Sequence, residues 1–505
     1  MSESPAPTAT TVSTPQRGSL LAGACLLYLL LPNLFFLEGW VEPWLAWPLI
    51  VLLSFGCFLL WRRLGDAAPA AVRGGRIHLA FCLLAGAAAV YLIGFNGHFP
   101  QSPDFTVRNA AFATLAREEW PIFGSGGEYF VYYHAFWLVP AWVADCCRGL
   151  LPLWVPRALW VYAGMALGIL CLYRRVGRRT LSLLAVAFFL GSLQEILVRA
   201  DVYTAYLPCL SWLNAYRDGL EAPVIYIELW HQLCATYNQA VPVLLFLCML
   251  HARMLPAFAV LPLSALLVAC SPLASLALLC YLVFWLGPRA VALCRPVLCT
   301  LLLYPCLLLL GLLGLYFLSG AGSHTGMGWQ SPCYAGDAPR FLLAYVLATV
   351  SILAQWYAFG WRFRRTAAFR ASLLLFFLLP LIWVGCDVNE LLFKGALLPY
   401  FFMALFLHST WRYASLKKRC LLAVLFLCCA YIPFLDIQHR LREFGISPEQ
   451  VELNSYDGWN GHMNHPDDSF FYDKLWGAEP PPFFKKNAFF EKKRKKACNG
   501  AAGVL

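Results

Sequence analysis

A carboxylate and a cation at the mouth of a membrane helix can do chemistry that purely apolar sequence cannot. Asp104 has that setting. It lies in Phe95-Asn-Gly-His-Phe-Pro-Gln-Ser-Pro-Asp-Phe-Thr-Val-Arg-Asn109, directly after the third long apolar run. A carboxylate there can take the proton of a hydroxyl. Arg108 can steady an anion that forms nearby, and Asn109 adds an amide. A plain helix cap would explain Asp104 equally well, because it stands just ahead of a predicted helix, reached through Pro103.

A second cluster lies in Cys386-Asp-Val-Asn-Glu-Leu-Leu-Phe-Lys-Gly-Ala-Leu-Leu-Pro399. Asp387, Glu390 and Lys394 stand between two apolar runs, and charges at membrane depth face a cavity or each other. Glu390 and Lys394 are four residues apart, so they can pair on one helical face. The alternative is that Lys394 holds a phosphate. Between the two clusters comes Tyr129-Phe-Val-Tyr-Tyr-His-Ala-Phe-Trp137. Tyr132, Tyr133 and His134 there form either an interfacial aromatic belt or the lining of a groove for a sugar or an isoprenoid. Weaker candidates are Glu195 and Arg199, again four apart, with Asp201 and Tyr203. Glu228 and His231 precede an apolar run that opens with Asn238 and Gln239. No pair has zinc-site spacing, and neither a Gly-x-Ser-x-Gly elbow nor a Gly-rich phosphate loop with Lys occurs.

The elements that must position these residues are membrane helices. Of the 505 residues 60% are hydrophobic and 13% charged, with mean hydropathy +0.63. A soluble domain carries roughly 25% charge. Apolar runs of about 20 residues recur from Leu20 to Phe434, each long enough to cross a hydrocarbon layer. Barrel strands are much shorter, so the class is an all-α polytopic integral membrane protein. Crossings are expected near 19–37, 43–61, 77–95, 155–173, 180–197, 236–252, 256–270, 273–287, 297–318, 340–359, 371–386, 396–411 and 420–435, about 13 in all. Residues 1–18 are a polar N-terminal segment, and 19–37 reads as a retained first helix. Residues 436–505 form a polar tail with a basic run at Lys492–Lys496, read as solvated.

The net charge of +11 does not indicate nucleic acid. Its cations cluster on alternate connectors: Arg62 and Arg63; Arg174, Arg175, Arg178 and Arg179; Arg362, Arg364, Arg365 and Arg370; Lys417, Lys418 and Arg419. The positive-inside rule makes these connectors and the N-terminus cytoplasmic. Loop 96–129, loop 198–235, loop 319–339, Asp387–Lys394 and the tail then lie outside. Segment 129–147 is open to two readings: a re-entrant or interfacial helix interrupted at Pro140, or a full span that breaks the charge rule. The 20 cysteines lie mostly in apolar runs and read as small hydrophobes. In loop 96–129, Phe105, Phe112, Leu115 and Ala116 share a face and suggest an amphipathic helix on the external membrane surface. Arg108 and Asn109 interrupt that face, so either the helix suits the surface poorly or the face meets a polar cavity.

The run Ser102-Pro-Asp104-Phe-Thr-Val-Arg108-Asn109 through Trp120-Pro121, followed by Tyr132-Tyr133, resembles the first external loop of bacterial GT-C-fold glycosyltransferases. Asn389-Glu390 through Lys394 to Pro399 is similar to a later motif of some members, with Glu where they carry Asp. The order of features agrees over roughly residues 76–435. The resemblance implies a GT-C-like domain over 19–435 in the bacterial inner (plasma) membrane. It implies inverting transfer of a sugar from a polyprenyl-phosphate donor to an envelope glycan, lipid or protein acceptor. Asp104 would be the catalytic base or a metal-organising acid, and a divalent metal is a possible cofactor. Many GT-C enzymes have two acids at this site, whereas this chain has one before Arg108. Arg108 and Lys394 would clamp the lipid phosphate, with Asn109, Tyr132, Tyr133, His134 and Glu390 around the substrate. The segment Tyr129–Trp142 and neighbouring helices would make the apolar groove for the lipid chain. A transporter or flippase of a lipid-linked glycan would instead show charges deep in several helices and helices broken at mid-membrane. A non-catalytic envelope-assembly protein would tolerate loss of Asp104.

Overall fold

The computed structural model describes residues 19–64, 75–101, 104–123, 129–148, 150–193, 228–287, 297–320, 327–328, 338–384, 389–445, 476–477 and 480–486. These fold as an all-α membrane protein. In chain order they form α1 (Leu20–Trp40), α2 (Pro43–Arg63), α3 (Arg76–Leu92), α4 (Asp104–Arg117), β1 (Tyr129–Phe130), α5 (Ala135–Cys146), α6 (Trp154–Val176) and α7 (Thr180–Phe189). Then come α8 (Leu229–His251), α9 (Ala257–Ser264), α10 (Pro272–Leu286), α11 (Val297–Ser319), β2 (Met327–Gly328), α12 (Ala338–Gly360) and α13 (Ala367–Leu378). The chain continues with β3 (Trp383–Val384), α14 (Glu390–Gly395), α15 (Leu397–Tyr413), α16 (Leu416–Arg442) and β4 (Trp476–Gly477).

Helix α2 shows why these segments need lipid. Its start is set by Pro43, which needs no backbone partner there, and its end by Arg62 and Arg63, whose charges suit a helix C-terminus. Leu49, Leu53 and Leu60 point inward, yet the opposite stripe of Trp44, Trp47, Val51, Phe55 and Phe58 is exposed and equally apolar. A helix in water would be polar on that face. Helices α11 and α16 repeat the pattern with exposed Tyr304, Leu307 and Leu308, and Leu421, Val424 and Leu427. Helix α8 is the axis of the bundle. It packs against α6 and α15 and is buried along nearly its whole length, with non-helical backbone at Thr236 (φ −133°, ψ 40°).

Among the described residues, seven helical stretches are long and apolar enough to cross a membrane, and an eighth if the bent α16 is one span. The expected pair of crossings at 256–270 and 273–287 is built from shorter helices, α9 and α10, separated at Ser271-Pro272. Segment 129–147 becomes β1 and the 12-residue α5. Twelve residues rise roughly 18 Å, too little for a hydrocarbon core of about 30 Å. Both ends of α5 also meet groups of the same end of the bundle. His134 stacks on Trp40 at 4.3 Å, and the Arg148 guanidinium approaches the Arg117 carbonyl at 3.5 Å. The re-entrant or interfacial alternative fits this geometry.

The two ends differ in charge. At one, the Ser19 amide donates to the Leu64 carbonyl (2.8 Å), Arg174 donates to the Ser19 hydroxyl (3.3 Å), Ser182 meets His408 (3.1 Å) and Arg362 lies over Tyr413 (4.3 Å). At the other lie the start of α4, β1 and α5. Part of the tail also docks there, which differs from a wholly solvated tail. Strand β4 pairs antiparallel with β1, the Lys485 amide donates to the Trp40 carbonyl (2.9 Å), and Phe484 is buried against Phe36, Tyr129 and Tyr316. The boundary expected at 435 falls inside α16, because Asp436 and Arg440 are partnered within the bundle. Single cysteines at Pro100 and Lys486, on a cysteine-depleted background, are therefore expected to label from one side of the membrane, and those at Arg63 and Arg365 from the other. Labelling of Pro100 and Arg63 from the same side would refute this arrangement.

Candidate functional site

Asp104 is the first residue of α4, one position later than the cap expected from sequence. The helix does not lie on a surface. From Arg108 to Ala116 every residue is buried, and so is Phe105, because α5 packs across it. Its interrupted face thus meets protein and polar groups, not lipid. Asn109 is the link: its Nδ2 donates to Gln101 Oε1 (2.8 Å), and its Oδ1 accepts from Arg157 (2.5 Å). Gln101 in turn donates to the Gly94 carbonyl (2.7 Å). Gly94 has φ 91°, and a Cβ there would lie 2.7 Å from the Phe99 carbonyl oxygen, so this turn requires glycine. Arg157, from α6, is 3% exposed and sits between the rings of Phe95 (5.2 Å) and Phe112 (5.1 Å).

Lys394 comes from the far end of the chain to the same place. Asn389 caps α14: its Oδ1 accepts from the Leu392 amide (3.1 Å), and its Nδ2 donates to the carbonyls of Leu379 (3.2 Å) and Ile382 (3.0 Å). This fixes Lys394 one turn on. Its ammonium pairs with Glu390, donates to the Tyr133 hydroxyl (3.1 Å) and lies 4.8 Å from that ring's centre. The Lys394 side chain is buried, while Glu390 is 36% exposed. Tyr133 stacks on Tyr132 with ring centres 3.9 Å apart. Burial, followed by Tyr133, pushes the Tyr132 phenol well above its usual range, while the positive charges of Arg108 and Lys394 both pull the other way. The charges of Arg108 and Lys394 are therefore both felt at one tyrosine. From Tyr132 the contacts run on to Trp137 (5.8 Å), whose indole donates to the Tyr237 hydroxyl (3.2 Å). The Tyr237 ring is 5.5 Å from Phe105, the neighbour of Asp104. The break in α8 at Thr236 thus abuts the start of α4.

His134 lies behind this pair. It is fully buried among Trp40, Phe36, Phe130 and Tyr316, and its Nδ1 meets the Tyr316 hydroxyl at 3.3 Å. Burial pushes its imidazole down to about 3. The unfolded chain binds that proton near 6.5 and the folded chain does not. Stability should therefore fall as the pH drops from about 6.5 towards 3, by roughly 1.4 kcal/mol per pH unit from this residue alone. Thermal melts between pH 7 and 5 are expected to show the slope, and His134→Phe to flatten it. An unchanged slope in the variant would remove His134 as its source.

Most of the segment Tyr129–Trp142 is packed inside the bundle, and only its end, at Ala141 and Trp142, lines an open cavity. Tyr129 and the residues from Ala135 to Ala141 are buried inside the bundle. A separate open apolar cavity of about 330 Å³ lies between α3 and α6, lined by Val90, Tyr91, Phe95, Trp154, Ala158 and Tyr162. Sequence reasoning also missed Arg157, although a lone cation just inside an apolar run carries the same signal as Lys394. It missed the clamp made by α16 as well. Arg440 donates to Asp436 (2.8 Å) and to the Pro100 carbonyl (2.7 Å), and Trp230 donates to Asp436 (2.8 Å). That clamp joins residues from three distant segments and has no local signature.

Glu228 and Gln239 are 2% exposed and Asn238 fully buried, all on or beside α8, and His231 lies 6.3 Å from the Phe393 ring. Asp387, Glu195, Arg199, Asp201 and Tyr203 lie outside the described residues. Among the described residues no group of three His, Cys, Asp or Glu side chains could hold a metal ion. In comparisons with known proteins the chain matches no family model, and no curated protein or solved structure gives a significant match.

Proposed function

We propose that this chain is a GT-C-like glycosyltransferase of the bacterial inner membrane. In this reading the chain crosses about 13 times from a cytoplasmic N-terminus, and the positive-inside rule then puts the site on the external face. It moves a sugar from a polyprenyl-phosphate donor to an envelope acceptor. The observation that carries this reading is that two buried cations, Arg108 from α4 and Lys394 from α14, both favour the ionised form of the same Tyr132 phenol. Lys394 is paired with Glu390, which is 36% exposed, and a phosphate is an anion that a guanidinium and an ammonium can hold together. Asp104 opens the same helix that carries Arg108, one turn earlier. It takes the proton of the acceptor hydroxyl, while Arg108 and Lys394 stabilise the charge that grows on the departing phosphate. The Tyr132–Tyr133 stack offers a face to the sugar, and the cavity between α3 and α6 receives the lipid chain. Phe95 lines that cavity and also touches Arg157, so chain and head group would be held by one wall.

Purified protein in vesicles is expected to transfer labelled sugar from a polyprenyl-phosphate donor and not from a nucleotide sugar. Turnover with nucleotide sugar alone would reject the mechanism. One observation favours the transporter reading: α8 is broken at Thr236, and just beyond it the buried amides of Asn238 and Gln239 meet no hydrogen-bonding side-chain or backbone partner among the described residues. Movement of an intact lipid-linked glycan across the vesicle wall, without sugar transfer, would decide for that reading.

A further inference from the structure

We infer that a groove at the far end of α4 binds a neutral carbohydrate of two or more sugar units. The groove is an open cavity of about 660 Å³, between the last turn of α1, the C-terminal ends of α4 and α5, and the docked tail. Ligand clefts span roughly 300–1,000 Å³, so this one is of ordinary size. Its floor is aromatic. Phe35 sits between Trp120 (6.2 Å, edge-on) and Trp142 (5.6 Å), and Trp142 is half-exposed. The floor is also fixed: the Trp120 indole donates to the Leu115 carbonyl (2.8 Å) and packs on Gly39, where a Cβ would lie 3.2 Å from its ring.

The rim carries both signs of charge. Glu38, Glu118, Glu119 and Asp145 face Arg117, Arg148 and Lys485. Arg148 is held by Asp145 (2.5 Å), and the Lys485 ammonium by the Glu38 carbonyl (2.5 Å). Among the described residues Glu38, Glu118 and Glu119 make no ion pair. A ligand with net charge would be drawn by one set and repelled by the other. A neutral polyol suits both, because its hydroxyls donate to carboxylates and accept from guanidinium and ammonium groups. Flat aromatic faces beside such groups suit the C–H face of a sugar ring, which is apolar. The α4 residues that line the groove, Leu115 to Arg117, lie roughly 17–20 Å along the helix from Asp104, so the groove is separate from the cationic site. If the proposed transfer is right, this is where a glycan acceptor rests, but the binding itself does not depend on transfer.

The test uses the full chain in lipid nanodiscs without any donor. Tryptophan fluorescence and calorimetry follow titration with neutral tetrasaccharides of glucose, mannose and N-acetylglucosamine, and with charged tetrasaccharides of glucosamine and of sulfated uronic acid. At least one neutral tetrasaccharide should saturate, and Trp142→Leu and Glu118→Gln should each weaken it about tenfold. Both residues are exposed, so neither change endangers the fold. The inference fails if no neutral probe saturates, if only charged probes do, or if binding survives both substitutions. Saturation by a neutral probe in a chain that shows no sugar transfer would leave the groove standing and count against the transferase alone.

Discussion

Asp104→Asn is expected to abolish transfer almost completely, by roughly two orders of magnitude or more, the usual scale for a positioned acid or base. The substitution keeps size and can still serve the start of a helix, so expression and membrane insertion should be normal. The Asp104 side chain lies outside the described part of the structure; α4 is held by Asn109 through Gln101 and Arg157, and the loop before it by Arg440 on the Pro100 carbonyl. Asparagine removes the proton acceptor and leaves those anchors alone. Wild-type turnover in the variant would return Asp104 to a purely structural place at the helix start.

Lys394→Met is expected to have the next largest effect, roughly a hundredfold loss of turnover, as when one donor to a developing anion is removed. It should also cost some stability, because Glu390 loses its partner. That cost should stay below the roughly 3–5 kcal/mol of a fully buried pair, since Glu390 is 36% exposed and can be hydrated. The double variant Lys394→Met/Glu390→Gln separates the two roles. Its thermal stability should return towards wild type while turnover stays low and donor binding stays weak. Full recovery of turnover would mean that Lys394 serves only Glu390 and Tyr133.

The site was legible in parts. Asp104, Arg108 and Lys394 each stood out as charges beside apolar runs, and so did the Tyr132–Tyr133 pair. Arg108 and Asn109 were visible as polar breaks in the apolar face of α4, but the sequence left open what that face met. The structure answers with Arg157, Gln101 and the aromatic neighbours of α5. Likewise Glu390 and Lys394 could be paired from their spacing, whereas the hydrogen bond from Lys394 to Tyr133 could not.

The sequence by itself determined the membrane class, the apolar helices and the gathering of cations at alternate connectors. These are local properties: the length of an apolar run decides whether it can span lipid, and its flanking charges are read directly. Tertiary structure alone decided that α5 keeps both ends at one end of the bundle, that Phe484 of the tail closes the aromatic wall around His134, and that α16 clamps the loop before Asp104. It alone brought Arg108 and Lys394 within electrostatic reach of one tyrosine, Tyr132. Such contacts join segments far apart in the chain. Helix periodicity says which face of a segment is buried, but in a chain that is apolar on nearly every face it does not say against what.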